Sequence, residues 1–325
     1  MPFYQPESSC PLCQRKSAFK FLKDYKSGDG TFSLYLCQLC LGQFWLPFKN
    51  PGAGWYEQGD VHNVKNGEKP REIHAYHKKL ISRRGDLLRN AKTLDLGCGT
   101  GEFMAELGKR GAQVYGTDFD KDAIAIAIQN FGFKNIFNLN LEEFFKNSGL
   151  PRFDLITVFE VFEHVDNPLM ILTEAKKILK ENGRLVLSIP GRERPWANLS
   201  SWDYPYHHLS RWNAEAITRL LRLAGYTKID ICYIDRFHKL YELFLEILAR
   251  KLKFHKASGL KNISEGKNIP ANEEKSIKKL AIKIIYKTGR FAGVVALPYL
   301  MAGIFFPLNL IIFPRSGIMY IEAQK

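Results

Sequence analysis

The first ten residues, M-P-F-Y-Q-P-E-S-S-C, contain no basic stretch and no apolar stretch, which excludes a secretory signal in that segment. The expected compartment is cytosolic and reducing, where disulfides do not persist. No internal repeat is visible, so solenoid and propeller architectures are set aside. Cysteine is scarce, six in 325 residues, yet four of the six fall into two C-x-x-C pairs. Acidic residues run short: 33 Asp and Glu stand against 47 Lys and Arg, for a net charge of +14. The imbalance is local, with twelve basic residues against three glutamates between Arg250 and Arg290. That surplus fits either a solvated insert or attraction to anionic lipid or nucleic acid. What remains is ordinary. A chain with 46% hydrophobic and 25% charged residues can build one large core or two smaller ones.

The densest local signal is T-L-D-L-G-C-G-T-G-E-F, from Thr93 to Phe103. It reads as a buried strand, a glycine turn and a helix start. Gly97, Gly99 and Gly101 leave backbone bare where a ligand can approach. The spacing is G-x-G-x-G, not the G-x-G-x-x-G of dinucleotide sites, and no Lys follows the last glycine, which disfavours a P-loop. Asp95 lies inside the strand, where a carboxylate can hold an ammonium group but would repel a pyrophosphate. A second strand, A-Q-V-Y-G-T-D-F-D, ends at Asp118, which can accept both hydroxyls of a ribose. An ammonium plus a ribose favours S-adenosylmethionine over a dinucleotide.

Beyond this turn, strands and helices alternate. The pattern predicts a helix over 68–89, strand 92–96, helix 101–110, strand 112–117, helix 120–131, and strands 135–138 and 153–159. Helix 168–181, strand 184–189, helix 213–225 and strand 227–234 follow. Short loops between alternating elements imply a doubly wound α/β sheet with ligands at the carboxyl ends of the strands.

Residues 91–190, and more loosely 70–236 and 316–325, resemble class I S-adenosylmethionine-dependent methyltransferases, in particular the ubiquinone-type O-methyltransferase group. The likeness rests on the glycine turn, on F-D-L-I-T-V-F-E-V-F-E-H-V-D-N-P from Phe153, on G-R-L-V-L-S-I-P-G from Gly183, and on the terminal G-I-M-Y-I-E-A-Q-K. It implies a Rossmann-like, seven-stranded sheet, with the helix before the first strand lidding the cofactor. By the same resemblance Asp95, Gly97 and Gly99 lie against the methionine part of the cofactor and Asp118 against the ribose. Asn140 takes the place near the adenine where the family commonly has Asp. Leu96, Cys98, Gly101, Phe119, Leu141 and Phe159 complete the expected cofactor wall.

Cys10-Pro-Leu-Cys13 and Cys37-Gln-Leu-Cys40 can deliver four thiolates to one tetrahedral zinc. Phe19, Phe21, Phe32 and Tyr35 lie between the pairs, in two expected strands around the turn S-G-D-G, the layout of a zinc ribbon. Two disulfides are the alternative, disfavoured by a reducing compartment. Four sulfurs close the coordination sphere, so the zinc is expected to be structural. Cys98 and Cys232 have no activating base nearby in sequence.

Two stretches are candidates for the chemistry. Glu160, Glu163 and His164 follow the fourth strand of the sheet, and the similar E-x-x-E-H run of the ubiquinone-type enzymes has been associated with a divalent metal. The alternative is a structural loop. In Y-P-Y-H-H-L-S-R-W, His207 and His208 suit substrate positioning or general-base duty, with one of the two facing inward. Arg192, Arg194 and Arg211 around them can hold an anionic or sugar substrate.

The last two strands of such a sheet form a hairpin, here I-D-I-C-Y-I near residue 230 and Gly317 to Ala323, so some eighty residues interrupt it. The insert begins with an amphipathic segment from Leu240 to Phe254, continues with a basic helix from about Glu274, and ends with Phe291 to Phe313, 23 residues free of charge. That length can span a membrane, but one crossing would strand the last strand on the wrong side, and Pro298 and Pro307 break a continuous helix. A shallow interfacial flap beside anionic headgroups, or packing in the core or a dimer, fits better.

The expectation is therefore an α/β, doubly wound methyltransferase fold with a zinc ribbon at 1–50, a connector and lid helix at 51–90, a cofactor-binding core at 91–236, a basic and apolar helical insert at 237–315 and a terminal core strand at 316–325. The expected activity is O-methylation of a lipid-linked, isoprenoid or glycan-type small molecule, with peripheral membrane contact through 275–313 at the inner face. Nucleic acid is a disfavoured partner, and an oligomer is left open. An RNA methyltransferase and a non-catalytic cofactor-binding subunit are the rivals.

Overall fold

The computed structural model describes residues 3–4, 9–27, 30–52, 70–147, 149–194, 203–205, 207–235, 240–241, 299–307 and 317–325. The chain begins with β1 (Phe3–Tyr4), β2 (Phe19–Ser27), β3 (Gly30–Cys37) and β4 (Gln43–Leu46), antiparallel neighbours in that order. β2 and β3 are the hairpin expected around S-G-D-G, with Phe19 opposite Cys37. Phe19, Tyr35, Phe44 and Phe48 pack edge to face or stacked, which gives this small sheet an aromatic interior.

Next comes α1 (Ala75–Arg84), shorter than the 68–89 expected because the described residues before it, 70–74, are not helical. His77 Nδ1 accepts the backbone N–H of His74 at 3.1 Å and fixes the start. After it, β5 (Lys92–Leu96), α2 (Glu102–Gly108), β6 (Gln113–Asp118), α3 (Lys121–Phe131) and β7 (Ile136–Asn138) follow the expected alternation. Asp120 caps α3 by accepting the N–H groups of Asp122 and Ala123. A short α4 (Leu141–Phe145) was not expected; Asn140 caps it.

The second half holds β8 (Phe153–Phe159), α5 (Pro168–Ile178), β9 (Leu179–Pro190), β10 (Ser210–Arg211), α6 (Ala214–Leu223), β11 (Thr227–Ile234) and β12 (Ile318–Gln324). Here the helix expected over 168–181 stops at Ile178. Leu179 is fully buried opposite Phe153, so pairing with β8 overrides helical propensity at 179–181.

The main sheet has the order β11-β12-β9-β8-β5-β6-β7. β5 to β9 are parallel, and β12 is antiparallel to both β9 and β11. The strand expected over Gly317–Ala323 is β12, and it closes the interrupted hairpin with β11. The order reverses beside β5, so a crevice opens at the carboxyl ends of β5, β6 and β8. α1 packs over one sheet face through Tyr76 and Leu80, and its Arg83 and Arg84 reach the buried Glu322 of β12 at 3.3 and 2.6 Å.

The N-terminal sheet does not stand apart. β10, from the main domain, pairs antiparallel with β4, and Trp45 N–H donates to Leu209 O. Cys10, Leu12 and Phe44 share one buried core with Trp212, Ala216 and Leu220. Arg192 and Arg219 donate to the carbonyls of Leu41 and Leu39 beside the second cysteine pair.

Of the insert beyond Tyr241, residues 299–307 are the described ones, and they are helical. Ala302 packs against Leu240 in a small separate cluster, while Tyr299, Leu300, Ile304 and Phe305 are exposed. Most of Leu240–Phe254, the basic helix from Glu274 and the rest of Phe291–Phe313 lie outside the described residues. No helix among the described residues is long and apolar enough to cross a membrane.

Candidate functional site

The three turn glycines do different work. All have positive φ (81°, 51° and 81° at Gly97, Gly99 and Gly101), which a side chain resists. A Cβ on Gly97 would meet Val161 at 2.3 Å, and one on Gly101 would meet Phe133 at 2.7 Å. Those two are small because protein packs against them. A Cβ on Gly99 meets nothing within 4 Å, so Gly99 alone leaves open space for a ligand.

Two carboxylates flank that opening. Asp95 is buried at the end of β5 and accepts Thr157 Oγ1 at 2.6 Å from the register partner on β8. Burial raises its pKa to about 7, against the Thr157 hydrogen bond and with help from the Asp118 charge. Asp118, at the end of β6, accepts the N–H groups of Gly99 and Asp120, both at 2.9 Å. Asn138 bonds the carbonyls of Asp118 and Phe119 and so braces the β6 end. Phe119 is half-buried beside it.

The other expected wall residues divide. Leu96 is wholly in the core, and Cys98 packs with Met104 and Ile124, so only their backbones face the turn. Asn140 gives its Oδ1 to the N–H of Glu143 as the α4 cap, with Glu143 Oε2 accepting Asn140 N–H in return. The residue is exposed, and its Nδ2 remains for a ligand; Leu141 behind it is half-buried. Phe159 is buried between Tyr76 of α1 and Phe103, with His77 stacked on Phe103 at 4.2 Å. Burial, then the charge of His74, lowers His77 to about 3, so it is neutral at ordinary pH. Burial raises the Tyr76 hydroxyl, and the charges of Glu160, Glu163 and Asp95 add to that, which sets this α1 residue among three carboxylates.

Glu160 has a positive φ of 53° at the end of β8, a strained setting for a non-glycine residue. Ser188 holds it there, donating to Glu160 Oε1 at 2.9 Å and accepting Glu160 N–H. Glu163 is buried, and burial followed by the Glu160 charge raises its pKa well above the usual carboxylate range. Of the histidine pair, His208 is the buried one and His207 is half-buried. His208 Nε2 lies 3.8 Å from Glu163 Oε1, and its Nδ1 lies 3.4 Å from Asp203 Oδ1. His207 contributes its carbonyl to His164 Nδ1, and burial then His208 lowers its own ring to about 4. The metal-capable set is therefore Glu163, His164 and His208, whose ligand atoms lie within 4.8 Å of one another, and Glu160 falls outside it.

The three arginines also separate. Arg194 pairs with buried Asp203 at 2.6 Å, Arg192 donates to Leu41 O, and Arg211 is buried with no partner for its Nε. Sequence reading missed Thr157, Ser188, Asn138 and Asp203. Thr157 alone carried a signal, as a hydroxyl inside an apolar strand.

At the other end of the molecule, Cys10, Cys13, Cys37 and Cys40 are all buried, with their Sγ atoms within 4.8 Å of one another. The Cys10 and Cys40 sulfurs are 4.0 Å apart, too far for a disulfide. Leu12 N–H points at Cys10 Sγ and Cys40 N–H at Cys37 Sγ, as suits sulfurs carrying negative charge. This donor set fits a tetrahedral metal.

Residues 70–231 match the family model described as a methyltransferase domain. The ubiquinone biosynthesis O-methyltransferase of Glaesserella parasuis serovar 5 is 36% identical over 145 residues, covering 42% of this chain and 59% of that protein. The mitochondrial ubiquinone biosynthesis O-methyltransferase of Schizosaccharomyces pombe is 34% identical over 116 residues, covering 34% of this chain and 42% of that one. This chain thus spans about half the length of these curated relatives. A solved SAM dependent methyltransferase from Archaeoglobus fulgidus aligns at a TM-score of 0.48 and 15% identity, over 84% of this chain and 100% of the other. The fold is read from this chain's own strand order.

Proposed function

Because residues 70–231 form a class I S-adenosylmethionine-dependent methyltransferase domain, we propose that the protein methylates a hydroxyl of a small-molecule acceptor. One observation carries the reading: Gly99, the one of the three turn glycines with open space at its Cβ position, lies beside two anchored carboxylates, Asp95 and Asp118, at the strand ends. Asp95 would neutralise an ammonium, Asp118 would accept ribose hydroxyls, and Asn140 Nδ2 would reach an adenine edge. The bound cofactor supplies an electrophilic methyl group on a sulfonium. On the acceptor side, His208 takes the hydroxyl proton, and Asp203 orients its ring from Nδ1 while Arg194 holds Asp203. Tyr76 and Phe159 exclude water under the lid helix. The O-methyltransferase names of the relatives support oxygen as the accepting atom.

A lipid-linked, isoprenoid or glycan-type acceptor is the finer part of the proposal, with the protein on the cytoplasmic side at the inner face of a membrane. The exposed apolar residues of helix 299–307 support it, since Tyr299, Leu300 and Ile304 suit an interfacial surface. The cysteine quartet is proposed to hold a structural zinc ion. Labelled cofactor, incubated with a membrane lipid extract and separately with total RNA, tests the whole reading. Label in lipid is expected. Label in RNA alone would replace it with the rival enzyme, and tight cofactor binding without transfer would leave a non-catalytic subunit.

A further inference from the structure

The helix α1 brings one hydroxyl to the site that the fold itself does not use. Tyr76 is 8% exposed, and its ring centroid lies 5.0 Å from that of Phe159 and 4.5 Å from that of His77. Phe159 is the last residue of β8 and directly precedes Glu160. It also meets Phe103, in the first turn of α2 just past the glycine turn, at 5.4 Å. These contacts seat Tyr76 over the carboxyl ends of the neighbouring strands β5 and β8, between the glycine turn and the segment of Glu160 and Glu163.

The hydroxyl stands among acceptors and bonds none of them. After burial, the charges that act on it are those of Glu160, Glu163, Asp95 and Asp235, in that order. Asp235 belongs with the others, because β11 and β9 run the same way on either side of β12 and end at one edge of the sheet. Yet among the described residues the Tyr76 hydroxyl makes no hydrogen bond. The carboxylates have other partners: Asp95 accepts from Thr157, Glu160 accepts from Ser188, and Glu163 Oε1 lies 3.8 Å from His208 Nε2. Burial and negative neighbours keep the phenol neutral, so it retains a proton to donate. A phenylalanine would pack against Phe159 equally well without the cost of an idle hydroxyl.

The chemistry on either side says what meets that hydroxyl. In the cofactor, the ammonium that Asp95 would hold is joined to the sulfonium by a short aliphatic link. The proposed base, His208, adjoins Glu163 on the acceptor side. Tyr76 reaches the neighbourhood of both. We propose that the Tyr76 hydroxyl lines the point of methyl transfer and positions the acceptor oxygen, a role that rests on the methyl-transfer reading. The phenol donates a hydrogen bond to that oxygen and keeps its own proton throughout. One lone pair of the oxygen is thereby engaged and the other is left for the methyl carbon, while the acceptor's proton goes to His208. The gain is orientation.

The test uses the metal-loaded full chain and two ligands that differ at this one point. S-adenosylhomocysteine has nothing where the methyl group sits, and sinefungin carries an amine there. Both are titrated calorimetrically into the wild-type protein and into Tyr76→Phe, which keeps the ring and loses the hydroxyl. Tm and S-adenosylhomocysteine affinity should stay as they are. Sinefungin affinity should fall by about tenfold or more, the loss expected when a charged donor gives up one hydrogen bond. Transfer of label from saturating S-adenosylmethionine to a membrane lipid extract should fall by a similar factor. Tyr76→Leu removes the ring as well and should weaken both ligands, which separates packing from the hydroxyl. Equal sinefungin affinity in wild type and Tyr76→Phe overturns the proposal. So does an equal loss for both ligands, since the hydroxyl would then support α1 and not the transfer point. A wild-type protein that binds neither ligand overturns the methyltransferase reading, and this role with it.

Discussion

On the cofactor side of the cleft, Asp95 accepts from Thr157 and Asp118 accepts from two backbone amides, so each carboxylate is already anchored. On the acceptor side, Arg211 Nε, Trp45 Nε1, Glu163 Oε2 and Asp203 Oδ2 are all enclosed without partners. A buried polar atom left unmet costs about 1–3 kcal/mol, so four of them would consume a large part of a domain's stability. The cofactor half is complete as folded, because one ligand shape is written into a turn and two strand ends. The proposed acceptor half leaves both donors and acceptors unmet.

The sharpest way to break this division is to remove the metal. If zinc holds the N-terminal sheet, and that sheet braces the loop carrying His208, then chelation should abolish transfer by more than about 100-fold, the scale of losing a positioned base. S-adenosylhomocysteine affinity should stay within about threefold, because no cofactor-side residue comes from residues 1–50. Metal analysis together with calorimetry checks both halves. Protein that purifies without metal and is active would refute the ribbon's role. A milder cut is His208→Gln, expected to lower kcat by roughly 100-fold with unchanged cofactor affinity. Asp203→Asn should lower kcat by a smaller factor, because it acts through His208. Equal effects on cofactor binding would mean the two sides are not separate.

The same division explains what could be read from residues alone. The turn at Gly97–Gly101 and the strand ends at Asp95 and Asp118 are contiguous in sequence, so their pattern named the cofactor. The terminal strand was legible because G-I-M-Y-I-E-A supplies a buried strand that the sheet lacks. By contrast, Arg211 and the strand carrying Trp45 are joined by pairing across more than 150 residues, between Gln43–Phe44 and Ser210–Arg211, and no local spacing announces that. Equally, no spacing could reveal that Gly97 and Gly101 serve packing, because that depends on Val161 and Phe133, brought near by the fold. The Asn140 cap is different: its partner Glu143 is three residues on, a local spacing that marks a helix start.

On the cofactor side, Asp118→Ala should weaken S-adenosylhomocysteine binding by about 1–3 kcal/mol, a loss of roughly 5-fold to 150-fold. Unchanged cofactor affinity would remove Asp118 from the site, whatever becomes of the fold.

The smallest effect tests Asp95 through pH. Its folded pKa, about 7, is raised above the ordinary carboxylate value by burial first and by Asp118 second. For an acid shifted upward, the stability contribution is present below the unfolded pKa and is lost as pH rises through 7. The ligand-free protein should therefore lose stability on this account between about pH 4 and 7. A cationic cofactor reverses the preference, since it favours ionised Asp95 and expels the proton that the free protein holds below pH 7. Affinity for S-adenosylmethionine should then climb by up to about tenfold per pH unit below 7 and flatten above it. Calorimetry in buffers of different ionisation enthalpy counts the released proton. The ammonium of the ligand titrates too, so the decisive comparison is Asp95→Asn, which must bind more weakly and lose most of the slope. A slope that survives the substitution unchanged would assign the proton to the ligand and leave Asp95 a structural partner of Thr157.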